Sequence, residues 1–353
     1  MTPLALRLLG SAASTVDRAA VLAFGMGNRR ARAAVASLSH DEKLARLAQV
    51  RDAYGAAQLF ADADAYFVPP PRLVPSERRV RKLGWGAECL ELSWESAFEP
   101  YYARVRDKYL ANAHNRTAYA RLYAGDRGSR QAVIVVHGYM AGQWAFEERV
   151  WPIRWMNARG LDVAIAILPF HAVRAQPGGG APPFPGNDPR FANEGFRQTV
   201  ADLRVLAAVL RERGASSVGV MGMSLGGYSA SLLATVQRDL SFVVPMIPLA
   251  SIADSARDQG RLGTGERADE LHAALEAAHR VVSPFARPSL VPKERVLVVG
   301  AEADRVTPIF HAERLAKHFD TPLLRLPGGH LLQTWRAPAF RAVKAMLRQN
   351  AIV

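Results

Sequence analysis

Apolar and polar positions follow different rules in different parts of this chain. Up to about residue 65 the apolar residues recur at helical spacing in an alanine-rich background, most clearly in "SHDEKLARLAQVRDAYGAAQLF". Ser39 or Asp41 supplies the start signal for that helix. Further upstream, Leu4, Leu8, Ala12, Val16, Ala20 and Phe24 fall on one face of an amphipathic helix, although Arg7 and the pair Asp17-Arg18 interrupt the apolar runs. That face predicts docking on the protein's own core, with attachment to an anionic membrane surface as the alternative. The proline-rich stretch "VPPPRLVP", Val68 to Pro75, then stops helical order. The pattern therefore predicts a helical N-terminal extension over 1–67 and a linker over 68–86.

From residue 87 onward the period changes. "AECLELSWE" and "TAYARLYA" alternate in the manner of half-buried strands. After Gln131, short apolar runs alternate with helical stretches. The runs are "AVIVVHG", "LDVAIAILPF", "SVGVMGMS", "SFVVPMIPLA", "RVLVVGAEAD" and "LLRLPGGH". The clearest helix among them is "NEGFRQTVADLRVLAAVLRERG", closed by a glycine. Buried strands alternating with helices predict an α/β domain over 87–353, with a doubly wound, mostly parallel sheet. The segment Ser251 to Pro292 breaks the alternation and reads as mostly helical. An insertion after a strand's C-terminal end sits over the crevice where wound sheets bind ligands, so 251–292 is predicted to be a cap.

Composition narrows the class. A chain of 353 residues can bury a large α/β core and carry an accessory segment. Cys89 is the single cysteine, which excludes an internal disulfide and a cysteine zinc site and fits a cytoplasmic, reducing location. No run reaches the roughly 18 apolar residues of a membrane span. Lys and Arg total 45 against 32 Asp and Glu, a net charge of +13. The excess is spread along the chain instead of being held in one tail or stripe, which argues against a nucleic-acid binder.

The chemistry centres on "SVGVMGMSLGGYSASLLA". Ser224 stands between an apolar strand and a helix-forming run, with Gly222 before it and Gly226-Gly227 after it. A strand that turns at once into a helix has no room for side chains at those flanks, and the serine then projects at a helix start. "VVGAEADRVTP" places Asp304 just past a later strand, and "RLPGGHLLQ" places His330 just past the next. "VVHGYM" follows the first buried strand of the alternating region. There a backbone N–H of Tyr139, or else of Met140, can face a substrate oxygen, and Leu225 supplies the second.

With these residues the chain resembles the α/β-hydrolase superfamily of serine esterases, lipases and peptidases, from about Ala87 to the C-terminus. The matching residues are Gly222-Met223-Ser224-Leu225-Gly226-Gly227, His137-Gly138, Asp304 and His330. The resemblance implies a nucleophile at Ser224, a base at His330 and an orienting acid at Asp304. Leu225 and Tyr139 would form the oxyanion hole. It also implies a small-molecule acyl substrate and no cofactor. An acyltransferase and a catalytically silent binding protein are the other readings. In "LPFHAVR" the glycines that many relatives carry beside the histidine are absent, so His171 is expected to be structural. Asp254 is the rival for the acid, and Glu302 is expected to aim elsewhere. His272 and His279 lack a third ligand at useful spacing, so no metal site is expected. Tyr139, Trp144, Phe146 and Trp151 could wall an acyl pocket or serve as plain core. The proline-rich loop from Gln176 to Phe191 is expected to cover the mouth of the site.

Overall fold

The computed structural model describes residues 12–18, 37–125, 131–333 and 336–353. Among them the strands are β1 (Ser76–Lys82), β2 (Glu88–Glu95), β3 (Thr117–Ala124), β4 (Gln131–Val136), β5 (Leu161–Ala166), β6 (Ser217–Met223), β7 (Val243–Met246), β8 (Val298–Ala301) and β9 (Leu323–Leu326). They form one sheet in the order β1-β2-β3-β5-β4-β6-β7-β8-β9. Strands β4 to β9 pair in parallel, and β1, β2 and β3 add an antiparallel wing at one edge.

The period of two along β4 builds both layers of the core. Ala132, Ile134 and Val136 face the layer that holds the long helix Pro189–Glu212, while Val133 and Val135 face the layer that holds helix Ala337–Gln349. A strand buried on both faces needs apolar residues at every position, which is why "AVIVV" shows no alternation.

Residues 68–86, expected as a linker, instead hold β1. Its sequence, "SERRVRK", lies exposed at the sheet edge, so no apolar alternation marks it. Its strand character comes from pairing with β2, assisted by Arg78–Glu91 and Arg79–Glu88 ion pairs, both 2.6 Å, across the two strands. Charge along an edge strand also discourages pairing with a second chain.

The N-terminal region is helical where it is described. We label residues 12–18 α1 and His40–Ala53 α2. Ser39 caps α2 in a reciprocal capping box with Glu42. Leu4, Leu8, Ala20 and Phe24 of the expected amphipathic face lie outside the described residues. Within α1 the face differs from the expected one: Ala12 and Val16 are exposed, and Ala13 and Asp17 are buried. Residues 37–67 are not peripheral to the α/β core. Leu47, Val50, Tyr54, Leu59, Tyr66 and Phe67 join the same apolar layer as the helix Pro189–Glu212. Buried hydroxyls tie the two together. Tyr54 donates to Glu194 (2.8 Å) and Tyr66 donates to the Asn193 carbonyl (3.1 Å).

The segment between β7 and β8 holds helices Ile252–Asp258 and Glu266–His279, followed by short 3₁₀ turns. Helix α2 packs on Glu266–His279, with His40 and Glu270 2.6 Å apart. The expected cap region is thus braced from behind by the N-terminal helices.

Because Tyr66 is fully buried among aromatic rings, Tyr66→Ala is expected to cost about 3–5 kcal/mol of stability, as large-to-small core changes do. Urea unfolding measures this. An unchanged midpoint would show that residues 37–67 merely rest on the surface.

Candidate active site

Every residue singled out for chemistry follows the C-terminal end of a parallel strand: His137 to Met140 after β4, Ser224 after β6, Asp304 after β8 and His330 after β9. Parallel strands all end on one side of the sheet, so the fold delivers these residues to a common edge.

The turn at Ser224 is as tight as the glycines suggest. Ser224 has φ 55° and ψ −113°, a left-handed φ that a residue with a side chain adopts only under constraint. Its N–H donates to the Met246 carbonyl (3.1 Å), and its carbonyl accepts from Tyr228 N–H and Leu249 N–H, both at 3.0 Å. A Cβ at Gly222 would lie 2.0 Å from the Gly226 carbonyl oxygen. One at Gly226 would lie 2.1 Å from the carbonyl oxygen of Val136, the last residue of β4. One at Gly227 would lie 2.9 Å from Pro248 Cα. The glycines thus let the helix Leu225–Ala234 cross its own strand and the neighbouring one at backbone contact.

Asp304 and His330 meet. The His330 Nδ1–H donates to Asp304 Oδ2 at 2.8 Å, which leaves Nε2 with its lone pair. Asp304 is itself held, with Oδ1 accepting from the N–H groups of Val306 and Thr307, both at 2.8 Å. Burial pulls the His330 pKa down. The Asp304 charge and hydrogen bond, with a further contribution from the charge of Asp17, outweigh it and leave the imidazole above its ordinary value.

Two residues of this cluster escaped the sequence reading. Thr307 Oγ1 donates to the Ile247 carbonyl (3.0 Å) and sits 3.1 Å from both Asp304 Oδ2 and His330 Nδ1. Its place in the turn "DRVTP" was the available signal. Asp17 comes from α1 and is buried against the same loops. Its Oδ2 accepts from the His330 N–H at 2.6 Å and the Arg305 N–H at 3.1 Å, and its Oδ1 accepts from the Leu331 N–H at 3.0 Å. Ser14, one turn earlier, donates to the Ala303 carbonyl (3.1 Å). In the sequence Asp17 is only a charge that splits an apolar run.

The loop after β4 lies beside the serine. A Cβ at Gly138 would touch Ser224 Cβ at 3.4 Å. His137 donates through Nδ1 to the Gly138 carbonyl (2.7 Å) and accepts from the Leu168 N–H at Nε2 (3.0 Å), so its ring is neutral scaffolding. Burial lowers its pKa to about 4. Leu225 opens its helix, so its N–H has no intrahelical acceptor. Tyr139, Met140 and Leu225 line one cavity of about 530 Å³ together with Ser224 and His330.

The remaining candidates separate. His171 is fully buried, bonds the Pro169 carbonyl through Nδ1 (2.8 Å) and packs under Tyr139, with its pKa lowered to about 3 by burial. Asp254 pairs with His272 (2.8 Å) and with Arg314, away from His330. His279 bonds Asn193 instead (2.8 Å), so the two cap histidines serve different places. Glu302 pairs with Arg325. Of the aromatic set, Tyr139 and Phe146 line the cavity, Trp151 is core, and Trp144 stacks under the Arg121 guanidinium. From the proline-rich loop, Pro185, Gly186 and Asn187 reach the cavity. From the cap region, Ile252, Ser255, Gln259 and Arg261 do so.

No protein-family model matches the chain. It is 29% identical over 311 residues to the uncharacterized protein Rv2627c of Mycobacterium tuberculosis, a match covering 85% of this chain and 73% of that protein. Among solved structures it is similar to acetyl xylan esterase 1 from Thermoanaerobacterium sp., with a TM-score of 0.52, 18% identity, and coverage of 83% of this chain and 93% of that one. It is also similar to the acetyl xylan esterase from Paenibacillus sp. R4, with a TM-score of 0.55, 14% identity, and coverage of 81% and 93%. At these identities the likeness is one of architecture: the chain has the α/β-hydrolase fold.

Since the Gly226 position faces a backbone carbonyl that cannot swing aside, Gly226→Ala is expected to displace the helix Leu225–Ala234. The expected cost is about 1–3 kcal/mol or more, as for overpacked cores. Thermal unfolding measures it. A variant as stable as the parent would mean that the turn has slack.

Proposed function

We propose that the protein is a serine hydrolase that cleaves a carboxylic ester, thioester or amide through an acyl-enzyme on Ser224. The observation that carries the reading is the buried His330–Asp304 pair opening on the same cavity as the strained Ser224. In this reading His330 Nε2 takes the Ser224 proton as the oxygen attacks the carbonyl carbon. The N–H groups of Leu225 and of Tyr139, with Met140 as the other donor in that loop, stabilise the tetrahedral oxyanion. Collapse expels the alcohol, thiol or amine, which takes its proton from His330. Water, deprotonated by the same imidazole, then releases the acid. The residues supply nucleophile, base and oxyanion donors without a cofactor. A cavity of about 530 Å³, apolar at Met140, Phe146, Leu249, Ile252 and Leu331, suits a compact acyl group. A cytoplasmic location is part of the proposal.

Fluorophosphonate labelling and a panel of aryl esters graded by acyl length, with an acetylated sugar added, test the reading. Ser224→Ala and His330→Ala are each expected to lose on the order of 10⁶ in turnover, and the double variant little more, because the groups act as one unit. Asp304→Asn is expected to lose about 10⁴, through the wrong imidazole tautomer. Full activity of Ser224→Ala in protein free of contaminating esterase would end the proposal.

A protonated His330 cannot accept the serine proton, so kcat/KM is expected to fall as pH drops through the raised imidazole pKa. The acidic limb should therefore lie above the ordinary 6.5 of histidine. A limb at or below that value would show that the paired carboxylates do not govern the base.

A further inference from the structure

The chemistry proposed above needs the Asp304 and His330 loops in register, and the structure shows what joins them besides their own hydrogen bond. The Asp17 carboxylate is buried. It accepts three backbone N–H groups: Arg305 from the loop after β8, and His330 and Leu331 from the loop after β9. Hydrogen bonds to an ionised acceptor are about twice as strong as neutral ones, and a buried carboxylate so held is costly to dislodge. The contact has been given room on the other side. A Cβ at Gly329 would lie 2.5 Å from Asp17 Oδ2 and 3.1 Å from Ala13 Cβ, so only glycine lets α1 approach this closely. Ser14 adds a second tie, to the Ala303 carbonyl, and its hydroxyl oxygen also lies 3.4 Å from Arg305 Nε.

We propose that Asp17 is a positioning residue of the active site: it acts through His330, fixing the base loop against the acid loop and adding a second negative charge beside the imidazole. This role rests on the serine-hydrolase reading for its effect on turnover, but not for its effect on His330 itself. It makes α1, remote in sequence and outside the recognisable α/β region, a working part of the site.

The charged and titratable groups around His330 can be named among the described residues. Asp304 and Asp17 contact it directly. His137, Tyr139, Glu147, Arg261 and Arg336 line the cavity on which it opens, and the Arg305 side chain lies on Ser14. Asp17→Asn keeps the size of the side chain and leaves all the others in place. It removes one unit of negative charge and forces an amide N–H₂ against backbone donors.

The full-length protein, Asp17→Asn and Gly329→Ala are compared by three readouts. These are the His330 ring titration followed by NMR, the pH dependence of fluorophosphonate labelling at Ser224, and kcat and KM for an aryl acetate. Asp17→Asn is expected to lower the His330 pKa and move the acidic limb of labelling to lower pH. It should also reduce kcat about 10- to 100-fold, the scale of a misplacement near 1 Å, with little change in KM. Gly329→Ala, which keeps Asp17 but pushes α1 away, is expected to reproduce the lowered pKa and the loss in kcat. If a folded Asp17→Asn protein keeps the parental titration, limb and kcat, the role is structural only and the proposal fails, even if the melting temperature drops. Should Asp17→Asn not fold, the same readouts on Gly329→Ala decide, and a parental His330 titration there overturns the proposal. If the parent protein itself is not labelled at Ser224, the hydrolase reading fails, while the His330 titration still decides whether Asp17 holds the imidazole.

Discussion

The structure is organised around a backbone collision that is only just avoided. Where β6 gives way to the helix Leu225–Ala234, the Gly222 and Gly226 backbones are so close that a single Cβ would lie 2.0 Å from a carbonyl oxygen. Gly226 in turn abuts the end of β4. That contact fixes three things together. It sets the spacing of the two central strands, the strained φ of Ser224, and the approach of Gly138 to the serine. Strain of this kind persists only when the surroundings over-determine it. Here Ser224 is pinned through its N–H to Met246 and through its carbonyl to Tyr228 and Leu249. The serine is therefore presented by the central strands of the sheet, not by a mobile loop.

The other two members have no such rigid origin. Asp304 and His330 lie on loops, and a loop's backbone donors need acceptors once they are buried. Carboxylates meet that need in both places. Asp304 takes the N–H groups of its own turn, and Asp17 takes those of the His330 loop and of Arg305. A carboxylate that satisfies backbone donors is fixed by them in return, so the Asp304 oxygen toward the imidazole is held in place. In the proposed hydrolase this would be preorganisation, with no reorganisation needed at the moment of reaction.

What could be read from the sequence divides along the same line. The turn at Ser224 was legible because sterics force small residues into a short contiguous pattern around it. The convergence of Asp304 and His330 was legible because each lies a few residues past a strand of the parallel sheet, β8 or β9. β1 was not, since an edge strand exposed along its length carries no apolar alternation and owes its strand character to a partner. The share of Tyr54, Tyr66 and Phe67 in the main core was hidden by the proline run after them, which stops helices but does not mark where packing ends. Asp17 was the least legible. Helical periodicity sorts residues by apolarity, so it assigned the inward face of α1 to Ala12 and Val16. A face that docks on backbone N–H groups instead of side chains needs small residues and one acceptor, which is what Ala13 and Asp17 provide.

That mode of docking has a thermodynamic consequence. The described part of α1, residues 12–18, sits against the loops after β8 and β9. Among the described residues of this helix Ala13 is buried and Val16 faces outward. Among the described residues the attachment includes hydrogen bonds accepted by Asp17 and one donated by Ser14, and such bonds have full value only while water is kept from the groove beside Gly329. Order in α1 and order in the His330 loop are thus mutually dependent. Each supplies the other's missing partners, and neither loop donors nor buried carboxylate would be satisfied alone. In the proposed hydrolase the serine comes from the central strands of the sheet, while the base, His330, sits in a loop whose backbone donors are completed by a helix far away in the chain.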